Sequence, residues 1–322
     1  SVLAELLEQY ASGSGRITPR PRGTRLHPET ISVLEGALAT AEVIGKVSKR
    51  PEELMVFGNG CYAAGRYEDA ANAFLTILHS EPSVSDARFN LGLTYLRLRR
   101  PEDAVREFTN LLVQQPWLAE AFYQRGNGND DIGNIEQALA DYTRAIELAP
   151  TYVHAMYNRG ILLAQGGRHQ EAVSQFDKVI AIAPEISNCY LNRGASLDEL
   201  GLHEEAISSY TRATDLNPTN SFAWFNRART NYYLGNLNEA LTDYSRVLEL
   251  TPDDAEAFNN RGLAYDALKD YEKAIKDFDA ALELRPYFAE AHSNRGAVLE
   301  VIGDLDGALV AYNQSLASDA EL

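Results

Sequence analysis

The chain has 322 residues and a formal net charge of −17, with 29 lysines and arginines against 46 aspartates and glutamates. Such an acidic surface repels phosphate backbones, so we expect no nucleic-acid partner and instead a neutral or basic protein or peptide ligand. No apolar run is long enough for membrane insertion, and Cys61 and Cys189 form neither a disulfide framework nor a metal site. These features favour the cytoplasm or another reducing intracellular compartment.

The first fifty residues do not share the pattern of the rest of the chain. Residues 1–27 predict a short amphipathic helix followed by a flexible linker rich in glycine, serine and proline. Residues 28–50 predict a helix that caps the start of the array behind it. Two roles stay open for residues 1–11, which either belong to such a cap or occupy a groove as an internal ligand.

One pattern recurs every 34 residues from residue 51 onwards. Each repeat carries a small residue at positions 8 and 20, an aromatic ring at position 24 and, in all repeats but the last, proline at position 32. The eight repeats span residues 51–84, 85–118, 119–152, 153–186, 187–220, 221–254, 255–288 and 289–322. A fixed period of this length predicts a stacked solenoid.

Each repeat predicts two helices, at roughly positions 2–14 and 18–31. The small residues at positions 8 and 20 let these helices approach closely, and we expect the ring at position 24 to fill the joint between neighbouring repeats. Position 15 is usually glycine, which suits a left-handed helix end. Arg99 and Lys269 replace that glycine, so we expect those two turns to close differently.

This sequence of small, small, aromatic and proline residues resembles the tetratricopeptide repeat family over residues 51–322. The resemblance implies an all-α solenoid, a right-handed superhelix of eight antiparallel helix pairs with a helical N-terminal extension. It also implies that first helices line a concave groove, whose usual work is to bind peptides or helices of partner proteins.

Position 6 of the first helix would then supply a row of amides in the groove. Its members are Asn90, Gln124, Asn158, Asn192, Asn226, Asn260 and Asn294. An amide both donates and accepts hydrogen bonds, so it can hold a peptide backbone whatever its side chains. The row resembles the asparagine ladder in the repeat domain of O-linked N-acetylglucosamine transferase. The alternative is that asparagine-arginine-glycine is simply a common variant of this repeat.

Further groove candidates are aromatic, basic or acidic. They are Tyr123, Tyr157, Phe222, Phe225, Arg229, Tyr232, Asn127, Asp130 and Asp198. Exposed aromatic residues are common interface anchors, and the acids could receive a basic ligand side chain. The alternatives are packing between adjacent first helices for the rings and a solvated face for the acids.

Arginine recurs at position 7, where the family more often has leucine. Three of these arginines have an aspartate sixteen residues later, which predicts ion pairs within a repeat to Asp141, Asp243 and Asp277. Binding of a partner protein is the less favoured interpretation of these position-7 arginines.

No catalytic or cofactor motif appears in the sequence, and the six histidines lack metal-site spacing. We therefore predict a non-enzymatic interaction scaffold without a cofactor or a metal. Two alternatives remain: a substrate-recruiting or regulatory module of a larger enzyme such as a glycosyltransferase, and a homo-oligomer that assembles through an uncovered last repeat.

Overall fold

A computed structural model describes residues 16–17 and 50–319 of the chain. These residues form sixteen α-helices and no strand, which confirms the predicted all-α class. Most of the predicted N-terminal helix and linker (residues 1–27) and of the predicted capping helix (residues 28–50) lies outside the described residues. No helix in the described ranges is both long and apolar enough to cross a membrane.

The chain divides into two compact units, residues 1–159 and 160–322. The helices of the first unit are α1 (Pro51–Ala63), α2 (Tyr67–Ser80), α3 (Ser85–Arg97), α4 (Pro101–Gln114), α5 (Ala119–Asp131) and α6 (Ile135–Leu148). Helix α7 (Val153–Gln165) crosses the division. The helices of the second unit are α8 (His169–Ile182), α9 (Ser187–Glu199), α10 (His203–Leu216), α11 (Ser221–Tyr233), α12 (Leu237–Leu250), α13 (Ala255–Ala267), α14 (Tyr271–Leu284), α15 (Ala289–Val301) and α16 (Leu305–Asp319).

Helices of one repeat pack as a pair, and the first helices of neighbouring repeats also touch. In the first unit α3 lies between α1 and α5, and in the second unit α11 lies between α9 and α13. The first helices of each unit therefore form a row of their own. The handedness of the superhelix stays an expectation.

The helices begin one residue earlier than predicted, at positions 1 and 17, and all but α16, which reaches the predicted position 31, also end one residue earlier, at positions 13 and 30. Proline at position 32 explains the early end, because a residue before proline is forced out of the helical conformation. Ala149 before Pro150 has φ −137° and ψ 87°, and Asn217 before Pro218 has φ −139° and ψ 85°. The second helix thus stops two residues before the proline.

The turn between paired helices uses a left-handed residue at position 15. Glycine there has positive φ, for example 78° in Gly133 and 80° in Gly235. Arg99 and Lys269 have φ of 59° and 63°, so the prediction that their turns close differently is wrong. These two side chains adopt the left-handed conformation at an energetic cost, because the closing geometry of the turn does not change with the residue.

The aromatic ring at position 24 packs against the glycine at position 8 of its own repeat. A Cβ atom on Gly160 would lie 2.7 Å from Cε1 of Phe176, and one on Gly194 would lie 2.6 Å from Cε1 of Tyr210. The ring therefore fills the gap between the two helices of one repeat, whereas we expected it at the joint between repeats. This packing fixes the first helix and orients its polar face.

Candidate functional site

The position-6 amides differ in how far the fold buries them. Asn90 and Gln124 in the first unit are buried, whereas Asn158 and the four position-6 asparagines of the second unit, Asn192, Asn226, Asn260 and Asn294, are partly exposed. The predicted row is thus closed at its beginning and more open further along. What closes it at Asn90 is a segment of the same chain.

The amide of Asn90 is held by the preceding repeat. Its Nδ2 donates to Oδ1 of Asn59 at 2.8 Å and contacts Sδ of Met55 at 3.7 Å. Asn59 occupies position 9 of the first repeat, so the two amides meet between α1 and α3. Because Nδ2 is engaged there, Oδ1 of Asn90 is turned away from this contact and can accept a hydrogen bond.

The group that donates to Asn90 is a backbone amide. The N–H of Ile17 donates to Oδ1 of Asn90 at 2.8 Å, and only 7% of Ile17 is exposed. Ile17 belongs to the apolar cluster of the first unit, together with Met55 and Phe89. A position-6 amide therefore accepts a hydrogen bond from a backbone N–H of the same chain.

Arg16 is held beside Ile17 by three kinds of contact. Its Nε donates to Oδ1 of Asp86 at 2.9 Å, and its Nη2 donates to Oε1 of Gln115 at 2.8 Å. The guanidinium lies 5.4 Å from the centre of the Phe89 ring. Burial raises the pKa of Glu120, and the nearby charge of Arg16 partly offsets this rise.

A second amide pair of the same kind lies further along the first unit. Nδ2 of Asn158 donates to Oδ1 of Asn127 at 3.0 Å and to the Tyr123 hydroxyl at 3.4 Å. The buried Tyr142 hydroxyl also donates to Oδ1 of Asn127, at 2.9 Å, and Asn127 Nδ2 donates to Gln124. Positions 6 and 9 of adjacent repeats thus form a repeated scaffold contact, and Asn127 and Tyr123 belong to it.

Tyr123 and Tyr157, two predicted aromatic contacts, are both partly buried. The Tyr123 ring lies 5.0 Å from the Tyr152 ring and 6.0 Å from the Tyr142 ring, measured between centres. The Tyr123 ring therefore packs against its own second helix and the loop before α7, whereas the stated alternative was packing between adjacent first helices. Its hydroxyl still reaches the amide of Asn158, so it contributes to the polar row.

In the second unit, Asn192 and Arg229 line one cleft with a volume of about 240 Å³. Other lining residues are Ser196 of α9 and His169 of α8. Among the described residues, the buried Nδ1 atom of His169 has no hydrogen-bond partner. The cleft thus brings two predicted groove residues together with His169.

The predicted anchor on α11 separates into exposed and packed side chains. Phe222 is 72% exposed, and Arg229 is exposed as well. Phe225 and Tyr232 are partly buried and pack with Tyr244, whose ring centre lies 5.7 Å from that of Phe225. Phe222 and Arg229 are the accessible contacts of this group.

Asp198, predicted to receive a basic ligand side chain, is engaged by its own unit. Its Oδ2 accepts hydrogen bonds from the Tyr210 hydroxyl at 2.8 Å and the Thr230 hydroxyl at 2.7 Å. Its Oδ1 lies 3.1 Å from Nδ1 of His203. Burial and this carboxylate raise the pKa of Tyr210. Asp198 therefore links α9, α10 and α11.

Among position-6 residues of the second unit, Asn294 shows the clearest side-chain contact. Its Nδ2 donates to Oδ1 of Asn259 at 2.9 Å, and Asn259 in turn donates to Asn260 at 3.3 Å. Asn259 is at position 5 of its repeat, so this amide is oriented by a different position from the one that orients Asn90. Each arrangement holds an amide on the first-helix row.

Comparison with protein families agrees with this geometry. Models described as "Tetratricopeptide repeat" match residues 57–119, 123–185, 187–220, 209–242 and 255–288, and a "TPR repeat" model matches residues 228–269. The chain belongs to the tetratricopeptide repeat (TPR) family. Repeats of this family form protein-interaction scaffolds and are typically not catalytic, so the chain is a repeat scaffold for protein interaction. No curated protein matches the chain.

Solved TPR structures resemble the chain. YrrB, "a TPR protein with an unusual peptide-binding site", is 28% identical over 57% of this chain and 95% of its own, with a TM-score of 0.52. The C-terminal part of a TPR protein from Cytophaga hutchinsonii is 17% identical over 74% of this chain and 98% of its own, with a TM-score of 0.65. A TPR protein from Parabacteroides merdae is 21% identical over 80% and 98%, with a TM-score of 0.56. The last two comparisons concern the fold alone.

The arginine at position 7 of these TPR units forms the predicted ion pairs. Each of the three pairs has two hydrogen bonds of 2.6–2.9 Å, and they join Arg125 to Asp141, Arg227 to Asp243 and Arg261 to Asp277. The hydrogen bond from Arg261 to Asp277 raises the pKa of that guanidinium. The prediction of pairs within a repeat is confirmed for all three.

The same arginine column also contacts the preceding repeat, which we did not predict. Arg227 donates to Thr211 at 3.0 Å, and Arg193 donates to Asp177 at 2.7 Å. Both partners lie sixteen residues before their arginine. The column therefore joins second helices of adjacent repeats, which is a structural role.

Some residues around Arg16 and Ile17 were not among the predicted contacts. Asp86 is at position 2, Phe89 at position 5 and Asn59 at position 9 of their repeats, and the resemblance to the family implies that these positions face the groove. The repeat positions of these three residues could therefore have identified them as groove residues. The positions could not have identified Arg16 and Ile17 as the segment that lies beside them. Within residues 16–17 and 50–319, no cluster of three or more histidine, cysteine or acidic side chains could hold a metal ion.

Proposed function

We propose that this TPR chain binds an extended, neutral or basic segment of a partner protein along the row of side chains on its first helices. The observation that carries the proposal is the hydrogen bond from the Ile17 backbone N–H to Oδ1 of Asn90. It is an instance of backbone recognition by a position-6 amide. The resemblance to an asparagine ladder supports the same mode at the other repeats.

Orientation of the amides before binding favours this role. Asn59 engages the Asn90 amide and Asn127 engages the Asn158 amide, so neither has to be ordered by a ligand. Side-chain ordering costs about 0.5–1.5 kcal/mol for each immobilised residue in an interface, and a preset amide avoids much of that cost. The contact is also independent of ligand side chains, because every residue except proline offers a backbone N–H.

Charge favours a basic partner over an acidic one. Asp86 holds a guanidinium, Glu120 lies near it, and the whole chain carries a net charge of −17. Complementary charge accelerates association and excludes like-charged competitors. Aromatic Phe222 supplies an exposed apolar contact in the second unit.

The test compares two triple variants of the full chain. The first replaces Asn158, Asn192 and Asn226 by alanine. The matched control replaces three exposed asparagines of second helices, Asn72, Asn110 and Asn238, by alanine. The probe is a set of peptides selected on the wild-type chain from a displayed random library, with affinities measured by fluorescence anisotropy.

We expect the row variant to bind the selected peptides several-fold more weakly or worse, because each lost amide removes hydrogen bonds of about 0.5–1.5 kcal/mol. The control variant should bind like wild type, and circular dichroism should show equal helicity in all three proteins. Equal affinity of the row variant and the control would refute the proposal.

Exposed apolar side chains on α16 favour self-association as a second candidate. Leu305, Leu309 and Leu316 of that helix are all exposed. If the face they form is buried between copies, replacing Leu309 and Leu316 by serine should abolish concentration-dependent mass in sedimentation equilibrium, whereas Val113→Ser, on exposed Val113 of α4, should not. A wild-type monomer at every concentration would remove this candidate. A role in recruiting substrate to a larger enzyme rests on the sequence alone and stays a proposal.

A further inference from the structure

One part of the first-helix row holds a ligand that the chain itself provides. We define the Asn90 subsite as Asn59, Asp86, Phe89, Asn90 and Gln115. Asp86, Gln115 and Phe89 contact Arg16. Asn90 accepts a hydrogen bond from the Ile17 N–H, and Asn59 accepts one from the side-chain amide of Asn90. The five residues come from α1, α3 and the segment after α4, so the subsite is built by the repeat array and not by the segment that fills it.

We infer that the Asn90 subsite recognises an extended segment with arginine followed by an aliphatic residue, and that Arg16–Ile17 is an internal copy of this ligand that a partner must displace. The inference rests on the proposed function and names the ligand for one part of the row. Both residues make contacts that restrict which residue types the subsite accepts. Ile17 does so through its backbone and its apolar side chain, and Arg16 does so through its guanidinium group.

Ile17 defines the second position of the ligand. Its N–H reaches the preset Asn90 amide, and its side chain is buried in the apolar cluster that contains Met55 and Phe89. Proline cannot replace it, because proline lacks the N–H. A charged residue cannot replace it either, because burial of an unpaired charge is unfavourable. An aliphatic residue satisfies both conditions.

Arg16 defines the first position. Nε and Nη2 donate in two directions, to Asp86 and to Gln115, while the planar group lies over Phe89. Lysine offers a single ammonium and cannot make this set of contacts at once. The subsite therefore distinguishes arginine from lysine, which a merely acidic surface would not do.

The amide that accepts the backbone N–H is part of the scaffold. Asn127 and Asn158 form the same pair, with an Nδ2–Oδ1 distance of 3.0 Å against 2.8 Å for Asn59 and Asn90. In the described structure, the hydrogen bonds of residues 16 and 17 reach the pair of Asn59 and Asn90, through Asn90, and do not reach the pair of Asn127 and Asn158. The amide orientation thus also occurs where Arg16 and Ile17 make no hydrogen bond, as expected of a receptor that does not depend on these two residues.

Covalent attachment makes the internal ligand a strong competitor. A tethered segment acts at an effective concentration of the order of millimolar. A free peptide that binds with a dissociation constant of about 10–100 µM would then bind the wild-type chain roughly 10- to 100-fold more weakly than a chain whose own segment is disabled. The segment thus sets a threshold that only a better or multivalent partner passes.

The experiment uses the full chain and a fluorescent peptide with the sequence of residues 12–22. Anisotropy titrations compare wild type, the double variant Arg16→Ala/Ile17→Ser, and Arg50→Ala, which removes an exposed arginine outside the subsite. We expect the double variant to bind the peptide at least about 10-fold more tightly than both other proteins. The same peptide with lysine in place of Arg16 should bind the double variant about 10-fold more weakly than the unchanged peptide does.

The receptor side is tested in the double variant with Asp86→Asn. Asp86 is partly exposed, so this change should leave the fold intact, which circular dichroism checks. We expect it to weaken the arginine peptide about 10-fold and the lysine peptide less. Asn90→Ala, at a buried residue, serves as a second variant wherever its helicity equals that of wild type.

Two results would overturn the inference. If wild type and the double variant bind the peptide equally, the chain does not occupy its own subsite. If neither binds it, arginine followed by isoleucine is not the ligand. The proposed function is tested separately, with library peptides and the alanine changes at Asn158, Asn192 and Asn226, so failure here is distinguishable from failure of the proposed function.

Discussion

The buried ion pair of Arg227 and Asp243 gives a quantitative test of the position-7 column. Two hydrogen bonds of 2.8 Å join the side chains, and only 4% of the Asp243 side chain and 16% of the Arg227 side chain are exposed. Asp243→Ala leaves a nearly buried guanidinium without its counter-charge. Loss of one partner of a buried pair costs about 3–5 kcal/mol. Because Arg227 keeps its contact with Thr211, we expect about 3 kcal/mol.

The matched control is Asp177→Ala. Asp177 pairs with Arg193 at 2.7 Å, in the same column and the same unit, but 51% of its side chain is exposed. Exposed pairs contribute about 0–1 kcal/mol, because water screens the charges and replaces the lost partner. Arg193 also keeps its hydrogen bond to Ser209. The same chemical change should therefore cost at least about 2 kcal/mol less here.

The assay is urea unfolding followed by circular dichroism, with amide hydrogen exchange to locate the loss. Exchange is needed because repeat arrays do not always unfold in one step, so a single midpoint can hide a local effect. Asp243→Ala should increase exchange in α11 and α12. A double change of Arg227 and Asp243 to leucine should recover most of the stability. Equal losses in the two single variants would refute the burial argument.

Two further predictions concern backbone strain and thiol reactivity. Lys269→Gly should stabilise the chain by about 1 kcal/mol, because relief of left-handed strain exceeds the extra entropy of an unfolded glycine. Gly133→Ala should destabilise it by a similar amount, and thermal unfolding that gave the same sign for both would contradict this reasoning. Burial raises the pKa of the Cys189 thiol to about 12, so roughly one thiol in ten thousand is ionised at pH 8. In a Cys61→Ser background, Ellman's reagent should react with Cys189 only after unfolding, and rapid labelling of the native protein would exclude this burial.

The repeat explains why the fold could be predicted almost completely from the sequence. Eight copies of the pattern in register outweigh any one departure, such as Ala228 at a glycine position. The errors were local. The second helices before a proline ended one residue early because of the residue before proline, and Arg99 adopted positive φ because the turn constrains the residue.

Side-chain partners were less predictable than helices. Spacing gave the pair between Arg227 and Asp243, but the contact of Arg193 with Asp177 runs to the preceding repeat. An arginine pairs within its own repeat or with the preceding repeat, depending on which of the two repeats carries an aspartate within reach. To predict this choice, one must know how the second helices of adjacent repeats pack. Asp198 likewise satisfies Tyr210 and Thr230, a role that an acidic residue on a predicted groove face does not reveal.

The occupant of the Asn90 subsite could not be predicted from local patterns. Ile17 and Asn90 are separated by 73 residues, and the linker around residue 17 has no periodicity to extend. We expected an internal ligand, if any, in residues 1–11. The contact instead uses the backbone of Ile17, which any sequence supplies, so only three-dimensional placement identifies it.

The position-9 residues argue for a difference between the two units. In the first unit, Asn59 and Asn127 orient the amide of the following repeat. In the second unit, position 9 carries isoleucine, alanine, arginine or leucine, and an amide such as Asn294 is oriented by Asn259 instead. Preset amides favour backbone capture at low entropic cost, so under the proposed function we expect ligands recognised by backbone and arginine to bind the first unit. Under the same proposal, we expect the second unit, with its exposed cationic and aromatic side chains, to depend more on the side chains of its ligand.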